Sequence, residues 1–237
     1  VILIRNIIAQ VCVFCLLASV PVVTNTNAQP VNEGTVLYRV NVGGPELKAT
    51  DDSVLAWSQD EGFFGTEDNS PYLVANSAGR STYSIDSVGA HPGMVDTSDP
   101  SIPASVPDEL FTTERFDLAS LPEQRWAFPV STTSEIEITL LFTELFGEVS
   151  APGGRIFDVS IEGNVPDGFD NIDQYATAGA MGAFALTHIT TVTDGTLDIE
   201  LLHGMAEHPA LKGIQIVALD SSDDSENRQP SARIPTE

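Results

Sequence analysis

Residues 183–202 read "AFALTHITTVTDGTLDIELL". Two runs rich in β-branched and apolar residues flank Asp194-Gly195. In the second run Leu197, Ile199 and Leu201 alternate with Asp198, Glu200 and Leu202, a period of two that puts the first set on one face of a strand. Asp-Gly between two such runs predicts a tight hairpin. The same grammar recurs in both directions along the chain. "TVLYRVNV" (35–42) stops at Gly43-Gly44-Pro45, and "ELFTTERF" (109–116) and "QRWAFPV" (124–130) are short and rich in aromatic residues. "SEIEITLLFTE" (134–144) places Ile136, Ile138, Leu140 and Phe142 on one side, and "RIFDVSIEG" (155–163) and "LKGIQIVAL" (211–219) complete the set. Helical periodicity of useful length is absent. Short alternating strands between Gly, Pro and Asp turns predict an all-β protein, an antiparallel β-sandwich of jelly-roll type.

The flanks read differently. Arg5, the apolar run "VCVFCLLASVPVV" (11–23) and the small residues Thr26 and Ala28 fit a secretory signal peptide over residues 1–28, cut after Ala28. This places the protein outside the cytoplasm: secreted, periplasmic or at the cell surface, without membrane insertion after cleavage. Cys12 and Cys15 both fall in that leader, so no disulfide is expected in the domain proper, residues 29–219. Residues 60–108 are rich in Gly, Ser, Asp and Pro and read as a long loop insertion. The acidic tail, residues 220–237, is polar and aperiodic and is expected to be disordered. The formal net charge of −24 repels nucleic acid and anionic lipid, which excludes both as partners.

Few residues point to catalysis or metal binding. In "LHGMAEHPALKGIQIV" (202–217), His203, Glu207 and His208 are spaced H-x3-E-H. A zinc-protease site needs a helix to bring such ligands onto one face. Here His203 is expected to end a strand, Gly204 to break it, and Pro209 to bar a helix, so no metal site is predicted. No G-x-S-x-G motif occurs. "DGFDNID" (167–173) has carboxylates at offsets that do not match the alternate ligands of a calcium loop, and reads as a turn whose Asp side chains bond the backbone. His91 belongs to a turn and His188 to a strand. Trp126 is expected in the core. Trp57, with Phe63 and Phe64, either staples the long loop or forms an aromatic platform. No catalytic residue and no cofactor are predicted.

Five segments in order carry a resemblance: "YRVNVGGPE" (38–46), "ELFTTERF" (109–116), "LFTELF" (141–146), "RIFDVSIEGN" (155–164) and "TLDIELLHG…HPALKGIQIV" (196–217). Together they resemble the malectin domain, over about residues 36–219. The resemblance implies a jelly-roll-like sandwich that holds a glucose-type oligosaccharide or polysaccharide in a pocket of end loops, without catalysis. It carries the pocket onto Tyr83, Phe116, Phe146 and Glu207. Sugar sites need aromatic faces for the C–H side of a pyranose and fixed polar groups for its hydroxyls. Phe116 and Phe146 stand where the family has tyrosines, Gly147 stands where it has a second aromatic, and Glu207 replaces an aspartate. Two other classes stay open: an extracellular protein-interaction or surface-structural module without a sugar site, and a glycoside hydrolase acting through paired carboxylates.

Overall fold

A computed structural model describes residues 34–51, 53, 55–62, 64–77, 82–84 and 92–219. The predicted signal peptide with its two cysteines, Phe63, His91 and the acidic tail lie outside the described residues.

The strands in chain order are β1 (Thr35–Val42), β2 (Ser58–Asp60), β3 (Leu73–Ala75), β4 (Thr82–Ser84), β5 (Thr113–Phe116), β6 (Gln124–Pro129), β7 (Ser134–Thr143), β8 (Ile156–Ile161), β9 (Ala183–Val192), β10 (Thr196–Ala206), β11 (Ala210–Leu211) and β12 (Gly213–Ala218). They form a five-stranded sheet β2-β1-β12-β7-β9, a four-stranded sheet β3-β6-β10-β8 and a small sheet β11-β5-β4. All pairings are antiparallel except β1 with β2. The protein is an all-β sandwich.

The core lies between the two larger sheets. Val40, Ile138, Leu140, Phe142, Ile214 and Ile216 from one pack against Trp126, Phe128, Phe157, Val159, Ile199 and Leu201 from the other. Each set follows the period-two face expected of a strand with one buried side. Truncating one of these phenylalanines to alanine costs about 3–5 kcal/mol.

The C-terminal half of β7 is buried on both faces. Its outward residue Leu141 joins a second cluster with Trp57, Leu110 and Phe111, supplied by loops that cross the outside of the sheet. Trp57 is fully buried, and its indole N–H donates to the Ser105 carbonyl at 3.1 Å. It is therefore a staple and not a platform. Phe64 is exposed and takes no part in that cluster.

Three local expectations need correction. First, Asp194-Gly195 does not close a hairpin. β9 pairs with β7 over ten positions, whereas β10 pairs with β6 and β8 in the facing sheet. Val192 and Leu197 are both fully buried in the same core, so the chain must cross from one sheet to the other between them. The Gly195 φ of +92° serves an arch, and the Gly195 carbonyl accepts from the Val130 N–H across the sandwich edge.

Second, the strand predicted over 109–116 begins only at Thr113. Asp108–Thr112 forms a 3₁₀ helix because Leu110 and Phe111 must both enter the second cluster, which alternation cannot achieve. Third, Gly204 does not end β10, which runs to Ala206 through a register shift between His203 and Ala206. A Cβ on Gly204 would sit 2.1 Å from the Ile156 carbonyl oxygen, so the glycine permits a bulge where the strands come too close for a side chain.

A five-residue helix, Gln174–Ala178, follows the "DGFDNID" turn. Asp173 caps it by accepting from the Ala176 N–H at 2.9 Å, which matches the backbone-bonding role expected there. His188 sits half-buried on β9 beside Ile138 and meets Phe169 edge to face. Among the described residues no helix is long and apolar enough to cross a membrane.

Candidate functional site

The small sheet builds the site. Tyr83, expected in an irregular polar insertion, lies on β4 directly opposite Glu114 of β5. Two residues further on, Phe116 ends β5 opposite Ala210 of β11. β11 leads through Lys212 into β12 of the large sheet, so the aromatic residues are anchored to the sandwich and not to a free loop. Arg115 fixes the other face of β5: its buried guanidinium donates to the Asp60 carboxylate at 2.8 Å and to Asn69 at 3.1 Å.

Phe146 and Glu207 come from the opposite side, held by one arginine. Arg155 Nε donates to Glu144 Oε2 at 2.7 Å and its Nη2 to Glu144 Oε1 at 3.1 Å, both partners being buried. Glu144 Oε1 also accepts from the Phe146 N–H at 2.9 Å. Arg155 Nη1 donates to the His208 carbonyl. A single forked cation thus ties the turn carrying Phe146 to the segment carrying Glu207 and His208.

These walls enclose a cavity of about 280 Å³ lined by Tyr83, Glu114, Phe116, Leu118, Phe146, Arg155, Glu207 and His208. All four residues carried over from the resemblance therefore line one space. Tyr83 and Phe146 meet edge to face with centroids 6.2 Å apart, and Phe116 stacks on the His208 ring at 6.4 Å. Gly147 is exposed beside Phe146 with nothing within 4 Å of where a Cβ would stand. Glu207 is exposed at the rim and holds a left-handed φ of 55°. A non-glycine residue in that region is strained, a condition common where a side chain must be aimed at a ligand.

The lining residues that the sequence reading did not single out are Glu114, Leu118 and Arg155, and His208 entered it only through the H-x3-E-H spacing. Glu114 is buried at the cavity wall and accepts from the ammonium of Lys212, itself fully buried. Burial pushes the Lys212 pKa well below its ordinary value. The Arg155 charge is taken up by Glu144 and that of Lys212 by Glu114, while Glu207, 3.7 Å from His208 Nε2, is the exposed carboxylate at the space. The cavity therefore combines aromatic faces with anionic acceptors. It favours ligands that donate hydrogen bonds and disfavours anions. A second, more open cavity of about 500 Å³ adjoins it, lined by Gly43, Glu61, Gly62, Thr82, Tyr83, Ser84 and Thr113, with Tyr83 lining both.

His203 does not join Glu207. Its Nδ1 lies 2.6 Å from Glu123 Oε2 and its Nε2 lies 3.0 Å from the Asp117 carbonyl oxygen.

Comparison with known proteins agrees with this architecture. The extracellular domain of ANXUR1 from Arabidopsis thaliana superimposes with a TM-score of 0.63 at 16% identity, covering 78% of this chain and 49% of that one. The ANX2 ectodomain from Arabidopsis thaliana gives 0.64 at 16% identity, over 79% and 50%. The plant receptor-like kinase FER gives 0.62 at 18% identity, over 79% and 50%. At such identities the likeness shows the fold alone, and this chain spans about half the length of those structures. No curated protein sequence matches the chain. The profile of the malectin domain matches residues 36–216, and the chain belongs to the malectin domain family.

Proposed function

We propose that this protein is an extracellular, non-catalytic carbohydrate-binding module that holds a neutral gluco-oligosaccharide in the Tyr83–Phe116–Phe146–Glu207 cavity. One observation carries the reading: residues from four separate segments converge on a single cavity that combines aromatic faces with carboxylate acceptors. The Tyr83 and Phe146 rings supply faces for the C–H side of a pyranose, and Glu207 accepts from its hydroxyls. At about 280 Å³ the cavity is at the small end of ligand sites, so it suits one ring of a longer glycan. The adjoining groove past Tyr83 offers room for the next unit. The domain spans residues 29–219, after the predicted signal peptide.

The test is a glycan array with thermal-shift follow-up on the purified protein. Binding of a neutral glucan that raises the melting temperature, and that is weakened by Tyr83→Ala or Glu207→Gln, is the expected result. A correctly folded protein that gives no glycan signal above background would overturn the proposal.

A second reading has its own observation. A structure of the plant peptide RALF23 in complex with FER and LLG2 matches this chain with a TM-score of 0.57 at 17% identity over 79% of its length, so a related fold occurs in a peptide-containing assembly. The exposed Gly147 also leaves one wall without a ring. A peptide-binding role predicts no sugar-dependent stabilisation and recovery of a secreted protein partner. A hydrolase is less well supported, because Glu114 and Glu144 are held in ion pairs with Lys212 and Arg155.

A further inference from the structure

We propose a divalent transition-metal site at Asp117, Glu123 and His203, beside the aromatic cavity and independent of any glycan. One ligand atom from each of these residues lies within 4.8 Å of the others. Three observations separate this group from an ordinary polar cluster.

The first is the histidine. Its Nε2 lies 3.0 Å from the Asp117 carbonyl oxygen, an acceptor only, so Nε2 carries a proton and donates. Its Nδ1 lies 2.6 Å from the Glu123 carboxylate. A proton on Nδ1 satisfies that contact, and a metal cation can take the proton's place, since the nitrogen and the carboxylate oxygen are both ligand atoms. Metal-ligating histidines show this same arrangement, with one nitrogen free for the ion and the other N–H donated to a backbone carbonyl.

The second is the aspartate. Asp117 is fully buried, and its Oδ1 accepts from the Ser77 N–H at 2.9 Å. Its Oδ2 has no partner among the described residues. An uncompensated buried carboxylate oxygen is costly, and a cation in the cluster removes that cost. The adjoining side chain of Gln124, on the same inner face as Trp126, is also fully buried with neither amide atom bonded among the described residues.

The third is access. His203 and Glu123 keep 16% and 15% of their side-chain surface exposed, so an ion can reach the cluster from solvent. One imidazole nitrogen with two carboxylates is the donor set of Zn²⁺ and its first-row neighbours, whereas Ca²⁺ and Mg²⁺ prefer oxygen alone. The proposed site touches the cavity through its frame. Asp117 follows Phe116, and the His203 ring meets His208 edge to face at 5.9 Å.

The experiment is calorimetric titration of the chelator-treated full chain with ZnCl₂ in a ten-fold excess of CaCl₂, which saturates weak sites on the acidic surface. One equivalent of tight Zn²⁺ is expected, with a rise in melting temperature reversed by EDTA. Glu123→Gln and His203→Gln are each expected to weaken binding at least about ten-fold. Co²⁺ is expected to give a visible absorption band in the wild type that is lost in His203→Gln. Glu123 is partly exposed, so Glu123→Gln is expected to keep the wild-type tryptophan fluorescence and remain a fair test. Failure to bind Zn²⁺, full displacement by Ca²⁺, or tight binding that survives both substitutions would overturn the proposal.

Discussion

Tyr83 and Phe146 meet edge to face across the cavity, with ring planes 88° apart, although one comes from a three-residue strand and the other from the turn after β7. Each ring props the other, so either loss disturbs both sugar-facing surfaces. Tyr83→Ala is expected to weaken glycan binding about ten-fold or more, which corresponds to ~1.4 kcal/mol. Tyr83→Phe keeps the face and isolates the contribution of the hydroxyl. Calorimetric titration of the three proteins checks this.

Glu207 separates binding from stability. Its φ of 55° costs a side-chain-bearing residue about 1–2 kcal/mol that glycine avoids. Glu207→Gly is therefore expected to leave the melting temperature unchanged or raised while glycan affinity falls. Glu207→Gln keeps the backbone strain and loses only the charge. A Glu207→Gly protein that melts lower than wild type would contradict the strain argument.

Gly147 offers a gain of function. Open space surrounds its Cβ position, and its φ lies outside the left-handed range, so a side chain fits without a clash. Gly147→Tyr is expected to restore a second ring beside Phe146 and to tighten glucan binding several-fold, read on the same array. Unchanged affinity would place Gly147 outside the ligand's reach.

The limits of sequence reading are visible at particular residues. β1 and β9 run over the stretches expected, because both are rich in β-branched and aromatic residues and end at a buried valine, followed in β1 by Gly43-Gly44. Asp194-Gly195 misleads because a turn dipeptide reports local backbone geometry and not which sheet the next strand joins. Tyr83 sits in a strand too short to show a period. The clamp that shapes the cavity is also hidden: Glu144 and Arg155 are 11 residues apart, and Lys212 is 98 residues from Glu114. Neither separation marks an ion pair until the sheets bring the partners together.

Arg39 gives a pH prediction. The Arg39 guanidinium donates to both oxygens of Asp51, at 3.3 and 2.6 Å, and Ser53 also bonds that carboxylate. Arg39 first, and Ser53 next among the groups that favour the anion, hold the Asp51 carboxyl well below the usual range. A depressed carboxyl pKa contributes stability that is present above the unfolded value of about 3.9 and is lost as pH falls toward the folded value. The wild-type urea midpoint is therefore expected to drop more steeply below about pH 4 than that of Asp51→Asn, which is less stable at pH 7. Parallel curves for the two proteins down to pH 2.5 would contradict this.

Lys212 and Glu114 give the strongest stability prediction. Lys212 is fully buried and Glu114 is 2% exposed, and the ammonium is bonded to the carboxylate. The Lys212 backbone is separately fixed, since its N–H donates to Leu141 and its carbonyl accepts from Val42. Substitutions there therefore report on the side chain. Lys212→Met strands a buried carboxylate and is expected to cost about 3–5 kcal/mol in urea unfolding. The double variant Lys212→Met, Glu114→Leu removes both charges and is expected to recover most of that loss, because a well-packed apolar pair often matches a buried ion pair. Glu114 also lines the cavity, so the double variant should fold yet bind glycan less well. The double-mutant cycle measures the coupling directly. A double variant no more stable than Lys212→Met alone would show that the cost lies in packing around the lysine stem and not in the stranded charge.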